Sequence, residues 1–322
     1  MIPDSKFQIP NFIFSNEVAA ALAENCPLVA LESTVITHGL PRSTNLETAL
    51  ELENIVRQNE AIPATIAMLN GIPHVGLNQK QLEFLANSDQ VVKLSRRDLP
   101  FAVARKLNGA TTVATTAFFA HAAGIEVFAT GGIGGVHRGD LPDVSADLPE
   151  LANTPITVVC AGAKAILDLP ATREWLETWG ICVLGWQTLE MPAFYTRQSG
   201  LKVDARVESA TEAAEIIAAR DNLKLKNAIL LTVPVPLESE IGHETIEDFL
   251  LSAIAEATSQ NIAGKEITPF LLRRLSEQTD GATLRANIAL LKQNARIAAE
   301  VANALKAVST NEEAGNSINF FY

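Results

Sequence analysis

A single lysine, Lys164, stands among tiny residues in the stretch "TVVCAGAKAILDLP", just past an apolar run of strand character. Its small neighbours leave room for a ligand and supply no countercharge. Apolar surroundings and the positive end of a helix dipole both disfavour an ammonium, which would free a nucleophilic amine. The spacing predicts that Lys164 opens a helix behind its strand, although an ordinary helix-surface lysine fits the same letters. In "LVALESTVITHGLP" a carboxylate, Glu32, interrupts an apolar strand and is followed by Ser33, Thr34 and His38. A buried carboxyl keeps its proton to higher pH, which suits a general acid near neutrality. A structural glutamate bound to an arginine or to backbone amides is the alternative.

Two further stretches carry groups for anions and cations. In "EVFATGGIGGVHRGDLPDVSADL", glycines 131, 132, 134 and 135 let the backbone approach a ligand and aim amides at an anion, with His137 and Arg138 alongside. The run lacks the third glycine of a dinucleotide fingerprint, and no Walker-type Lys-Ser/Thr follows it. Asp140, Asp143 and Asp147 are spaced for a hard divalent cation that retains waters, and equally for a solvated loop. The segment "VVKLSRRDLPFAVARKLNGATTVATT" places Lys93, Arg96 and Arg97 ahead of the hydroxyls of Thr111, Thr112, Thr115 and Thr116. That combination suits a phosphate, or a basic turn whose Asp98 pairs internally.

The elements that must position these groups alternate between short apolar runs and helical periodicity, the pattern of an α/β protein. Strands are expected in "PLVALESTVI", "ATIAML", "TTVATTAFFA", "IEVFATGG", "ITVVCAG", "ICVLGW" and "NAILLTVPV", the second half of the third also suiting a helix. Open α/β sheets bind ligands outside the carboxyl ends of their strands, and the candidate residues all fall there. "NLETALELENIVRQ" and "TEAAEIIAARD" read as covering helices, and Asp168 with Pro170 marks another helix start. Apolar residues from Leu284 to Leu305 step by three or four, predicting a long amphipathic helix over about 283–307. No linker interrupts residues 20–308, so a single domain over 1–308 is expected, with 309–322 a loose tail whose Phe320, Phe321 and Tyr322 could dock on a neighbour.

The 322 residues are 48% apolar and 19% charged, enough for a substantial core and against disorder. A net charge of −12 disfavours general attraction to nucleic acid or anionic membrane. Cys26, Cys160 and Cys182 show no zinc spacing and no even-numbered disulfide framework, which fits a reducing, cytoplasmic setting. No run approaches the roughly 20 apolar residues of a membrane span, so the chain reads as soluble and unprocessed.

Taken together, "ALESTVITHGLP", "KLSRRDLPF", "GATTVATT", "FATGGIGGVHRG", "DVSADL", "VVCAGAKAILD", "PAFY" and "ANIALLKQNA" resemble, in order, the motifs of the pseudouridine-5′-phosphate glycosidase family, which includes the indigoidine synthase A-like proteins. The resemblance runs from about residue 16 to residue 308. It implies a three-layer α/β/α fold with a central mixed sheet, a homotrimer, and reversible cleavage of pseudouridine 5′-phosphate to uracil and ribose 5-phosphate with a divalent metal, typically Mn²⁺. Lys164 would be the nucleophile forming an imine with the ring-opened ribose, Glu32 the proton donor, and Asp143 the metal anchor. Lys93, Val113, Ser145, Ala146 and Asp147 would contact substrate, as would Thr130 and His137 at phosphate or ribose and Asn287 at the base. Another Schiff-base sugar-phosphate lyase or aldolase, or a noncatalytic sugar-phosphate-binding protein, would share some of these parts.

Overall fold

The computed structural model describes residues 12–138, 143–260, 262 and 267–316. Asp140, the aromatic residues 320–322 and the first eleven residues lie outside them. In chain order the strands are β1 (Ile13–Phe14), β2 (Leu28–Glu32), β3 (Ile62–Leu69), β4 (Ile72–Val75), β5 (Val92–Leu94), β6 (Gly109–Thr111), β7 (Val127–Ala129), β8 (Val136–His137), β9 (Thr157–Cys160), β10 (Leu167–Asp168), β11 (Cys182–Trp186), β12 (Ala205–Val207) and β13 (Ile229–Thr232).

Among the described residues, eleven strands form one mixed sheet flanked by helices in a three-layer α/β/α arrangement; its main path is β1, β4, β3, β2, β7, β9, β13, β11, β12, with β6 joining β5 to β3. From β3 through β12 the neighbours on that path are parallel, while β4 and β6 run antiparallel to β3. Strands buried on both faces by helices read as continuous apolar runs rather than alternating ones. Val29, Ala30, Val158, Val159, Leu230 and Leu231 are accordingly all buried. One consequence matters most for chemistry: parallel pairing brings every carboxyl end to the same edge. Leu31 pairs with Ala129 and Ala129 with Val159, so Glu32, Thr130 and Cys160, each one residue further on, stand abreast there.

Helix starts follow their caps. Thr112 caps Val113–Ala122 by accepting from the Thr115 N–H, and Asp168 caps Leu169–Thr178 with proline in the first turn, as its sequence indicates. "TTVATTAFFA" is therefore mostly helix: its strand stops at Thr111, where the Thr112 cap takes over. The long helix Ala282–Asn316 packs beneath β2, β7 and β9 and continues past residue 307 into the stretch expected to be tail. A short π-helical turn, Val35–Gly39, follows β2 and is pinned by Asn45, whose amide donates to the Ile36 and Ala86 carbonyls at 2.8 and 2.9 Å. Among the described residues no helix is long and apolar enough to cross a membrane.

Candidate active site

The carboxyl edge opens into a cleft of about 180 Å³ lined by Glu32, Lys93, Val113, His137, Asp143 and Lys164 among others. A contiguous hollow of about 60 Å³ adds Thr130, Phe194 and Asn287. Glu32 closes β2 as a half-buried residue facing the cleft, and the Thr130 hydroxyl donates to its carboxyl. Burial pushes the Glu32 pKa above its ordinary value. The ammoniums of Lys164 and Lys93 and the Thr130 bond oppose that rise without cancelling it, and the Asp147 charge adds to it. Lys164 has no ion pair or side-chain hydrogen bond among the described residues. Cys160, on the neighbouring strand end, is no rival nucleophile, since burial pushes its thiol up to about 12.

Lys164 does not open a helix. After β9 the chain keeps pairing with the glycine run: Ala161 N–H donates to the Gly131 carbonyl at 2.8 Å, Ile133 N–H to Gly162 at 3.0 Å and Lys164 N–H to Ile133 at 3.1 Å. The lysine is thus delivered by extended backbone, and its helix follows only at Leu169. Gly162 makes this path possible, with φ +79° and the Pro192 carbonyl 2.2 Å from where a Cβ would sit.

The anion that the glycine run receives is the protein's own. The two carboxylate oxygens of Asp147 accept from Ala114 N–H at 2.9 Å and Gly134 N–H at 2.8 Å. That buried side chain ties the start of helix Val113–Ala122 to the glycine run, while Ser145 Oγ accepts from Asp147 N–H at 3.2 Å. Gly134 is obligatory here because a Cβ would lie 2.2 Å from Ser145 Oγ. Ser145 and Ala146 line the same cleft. His137 is half-buried, and burial lowers its pKa despite the opposing Asp143 charge. Its backbone N–H donates to the Asp143 carbonyl at 2.8 Å, and the Asp143 residue is exposed at the mouth. Among the described residues no group of three His, Cys, Asp or Glu side chains is arranged for a metal. With Asp147 committed to amides, Glu32 and Asp143 are the other carboxylates lining the cleft among the described residues.

A sequence model of the indigoidine synthase A-like protein family matches residues 17–304. The chain belongs to this family. It is 54% identical over 290 residues to a pseudouridine-5′-phosphate glycosidase of Caldanaerobacter subterraneus subsp. tengcongensis, covering 89% of this chain and 94% of that protein. It is 50% identical to one of Staphylococcus aureus, covering 91% and 96%. The crystal structure of an indigoidine synthase A-like protein from Thermotoga maritima superposes with TM-score 0.85 at 39% identity, over 92% of this chain and 96% of that one. The prealnumycin C-glycosynthase AlnA, solved with ribulose 5-phosphate, superposes with TM-score 0.86 at 38% identity, over 94% and 100%.

All eleven residues that the family resemblance singles out line the cleft or its adjoining hollow. Asn287 arrives from the long C-terminal helix, its side-chain oxygen near Gly131. Two other basic residues of these motifs, Arg96 and Arg138, are engaged elsewhere. Arg96 pairs with buried Glu150 at 2.7 Å and lies over the Phe118 ring, and Arg138 forks onto Glu247 at 2.5 and 3.1 Å. Of the four threonines, Thr111, Thr115 and Thr116 are buried in internal hydrogen bonds, leaving Thr112 in the cleft with Arg97. Sequence reading missed Thr268, which lines both spaces, and Asn294, whose amide fixes the Thr130 carbonyl at 2.8 Å. Thr268 is one polar residue on an amphipathic helix with no local signal, while Asn294 sits in "ANIALLKQNA" but nothing there tells it from its polar neighbours.

Proposed function

We propose that this chain reversibly cleaves the C–C glycosidic bond of pseudouridine 5′-phosphate, giving uracil and ribose 5-phosphate. The observation that carries the reading is Lys164 without an ion pair among the described residues, sharing a cleft with a desolvated Glu32 carboxyl. The names of the most similar relatives support the substrate, and the sugar phosphate bound to AlnA supports its pentose-phosphate half.

A carbon leaving group cannot be released as an N-glycosidase releases nitrogen, by protonation toward an oxocarbenium ion alone. Lysine addition supplies another route. The neutral Lys164 amine attacks C1, the bond from C1 to the ring oxygen breaks, and that oxygen takes up a proton. The nitrogen lone pair then forms the C1 imine as the bond to uracil breaks, and Glu32 protonates the departing carbon. Water adds to the imine, releasing ribose 5-phosphate and restoring the amine. Lys93 and Arg97 hold the phosphate, whose binding energy orients the opened sugar. Val113, Ser145, Ala146, Asp147, Thr130 and His137 surround the sugar phosphate, and Asn287 faces the base. Asp143 would hold a divalent cation, Mn²⁺ by resemblance, which when bound would organise water and polar groups around the substrate. A cytoplasmic homotrimer completes the proposal, its assembly state readable by light scattering.

One experiment tests the chemistry. The protein is incubated with pseudouridine 5′-phosphate and Mn²⁺, free uracil is followed, and borohydride-reduced samples are searched by mass spectrometry for a ribose 5-phosphate adduct on Lys164. Absence of both uracil and adduct overturns the reading. A rate unchanged by chelation overturns the metal alone.

A further inference from the structure

The hollow beside Lys164 is not the only space that Asn287 lines. Beyond it lies a chamber of about 430 Å³, several times the hollow of about 60 Å³ between Lys164 and that asparagine. His38, Gly39, Pro269, Leu272 and Asn287 line both, so the two spaces share a wall made by the turn Val35–Gly39 and the helices Ile267–Gln278 and Ala282–Asn316. The rest of the chamber is mixed, with an apolar side of Leu40, Pro41, Tyr195 and Leu284 joined by the hydroxyls of Ser276 and Thr283. At its rim Arg273 and Glu277 are exposed and of opposite charge. At the junction His38 carries a buried ring nitrogen, Nε2, with no partner among the described residues.

The apolar side of these walls suits a planar, uncharged group. We propose that the chamber is an extension of the aglycone site, which lets the enzyme cleave C-nucleoside 5′-phosphates whose base bears an uncharged aromatic substituent of about benzyl size. The inference rests on the glycosidase reading above. The reaction is the parent one, with the same C–C bond broken, one proton delivered to the departing carbon and one water consumed. Only the leaving group is larger.

The test compares wild type with Ser276→Trp, which fills the chamber from a position outside the parent site, and with the smaller Ser276→Phe. Substrates are pseudouridine 5′-phosphate and its N1-benzyl and N3-benzyl derivatives. Wild type is expected to cleave at least one derivative with kcat/KM within about tenfold of the parent, a span set by the modest discrimination of apolar pockets. Both replacements should keep parent turnover, which doubles as the check on folding. At least one should lower kcat/KM for the accepted derivative by about tenfold or more. Rejection of both derivatives by wild type beyond that span, or no selective loss in either variant, overturns the inference. If wild type fails on the parent itself, the glycosidase reading falls, and calorimetry with 1-benzyluracil in the presence of ribose 5-phosphate decides the chamber. Binding to wild type that either replacement weakens tenfold or more supports it, and absent or unweakened binding overturns it.

Discussion

At the amino edge of the parallel sheet, Glu126 stands just before β7 and pairs with Lys306 at 2.7 Å, while the same ammonium reaches the Asn25 side chain at 3.0 Å. At the other end of that strand, Thr130 donates to Glu32, and Lys164 points into the cleft with no ion pair among the described residues. Both edges carry acids and lysines at strand ends. The amino edge joins them in partly exposed pairs, which contribute little stability. The carboxyl edge buries an acid and leaves an amine without a mate. Charge in the same sheet therefore stabilises at one edge and reacts at the other, and substitutions at each edge should behave accordingly.

The largest effect belongs to Lys164. Its backbone bonds to Ile133 and Leu167 do not need the side chain. Lys164→Ala should leave thermal unfolding unchanged and lower kcat for uracil release by at least about 10⁴-fold. Retained turnover would remove it as the nucleophile. Next comes Glu32→Gln, expected to cost about 10²–10⁴-fold in kcat, the usual contribution of a general acid. Its stability effect has the opposite sign. A carboxyl whose folded pKa is raised gives its full stability below the ordinary value of 4.5 and loses it as pH rises through the raised one. Glu32→Gln should thus match wild type in acid and unfold at a higher temperature than wild type at neutral to alkaline pH. In wild type the kcat for cleavage should fall on the alkaline side as Glu32 deprotonates. An alkaline gap in the reverse direction would mean that Glu32 is paired rather than desolvated.

How much of this contrast the letters carry depends on whether the cause is local. Apolar runs ending in Glu32, Thr130 and Cys160 announce parallel strands, and parallel strands oblige their ends to meet, so the cleft was legible. The path to Lys164 was not. "AGAKA" suits a helix start and an extended run equally, and what decides is pairing with glycines some thirty residues earlier. Arg96 and Arg138 looked like anion ligands because Glu150 and Glu247, their partners, are distant in sequence. The amides of the glycine run did find an anion, Asp147, but its role as a tie between two backbone segments appears only once the loop is folded. Thr268 carries no local mark, and Asn294, though inside "ANIALLKQNA", is set apart only by its fold contact with Thr130.

Asp147 is where the contrast sharpens, because it belongs to the reactive edge yet is bonded like a structural residue. Asp147→Ala leaves two buried backbone N–H groups without their acceptor, each costing about 1–3 kcal/mol. Stability should drop by roughly 2–6 kcal/mol in denaturant titration, with kcat falling through the displaced helix start. Lost activity at unchanged stability would instead make it a substrate contact and nothing more.

The smallest effect is expected at the amino edge. Lys306→Met keeps an aliphatic side chain of similar length at this position of the long helix and removes the charge that meets Glu126 and Asn25. A partly exposed pair of this kind is worth at most about 1 kcal/mol, shrinking further with added salt. Turnover should be unaltered, since Lys306 lies at the opposite end of β7 from Thr130. A substitution here that changed kcat as strongly as one at Glu32 would break the division between the edges, and would require the long helix to transmit the change through Asn294 to the Thr130 carbonyl.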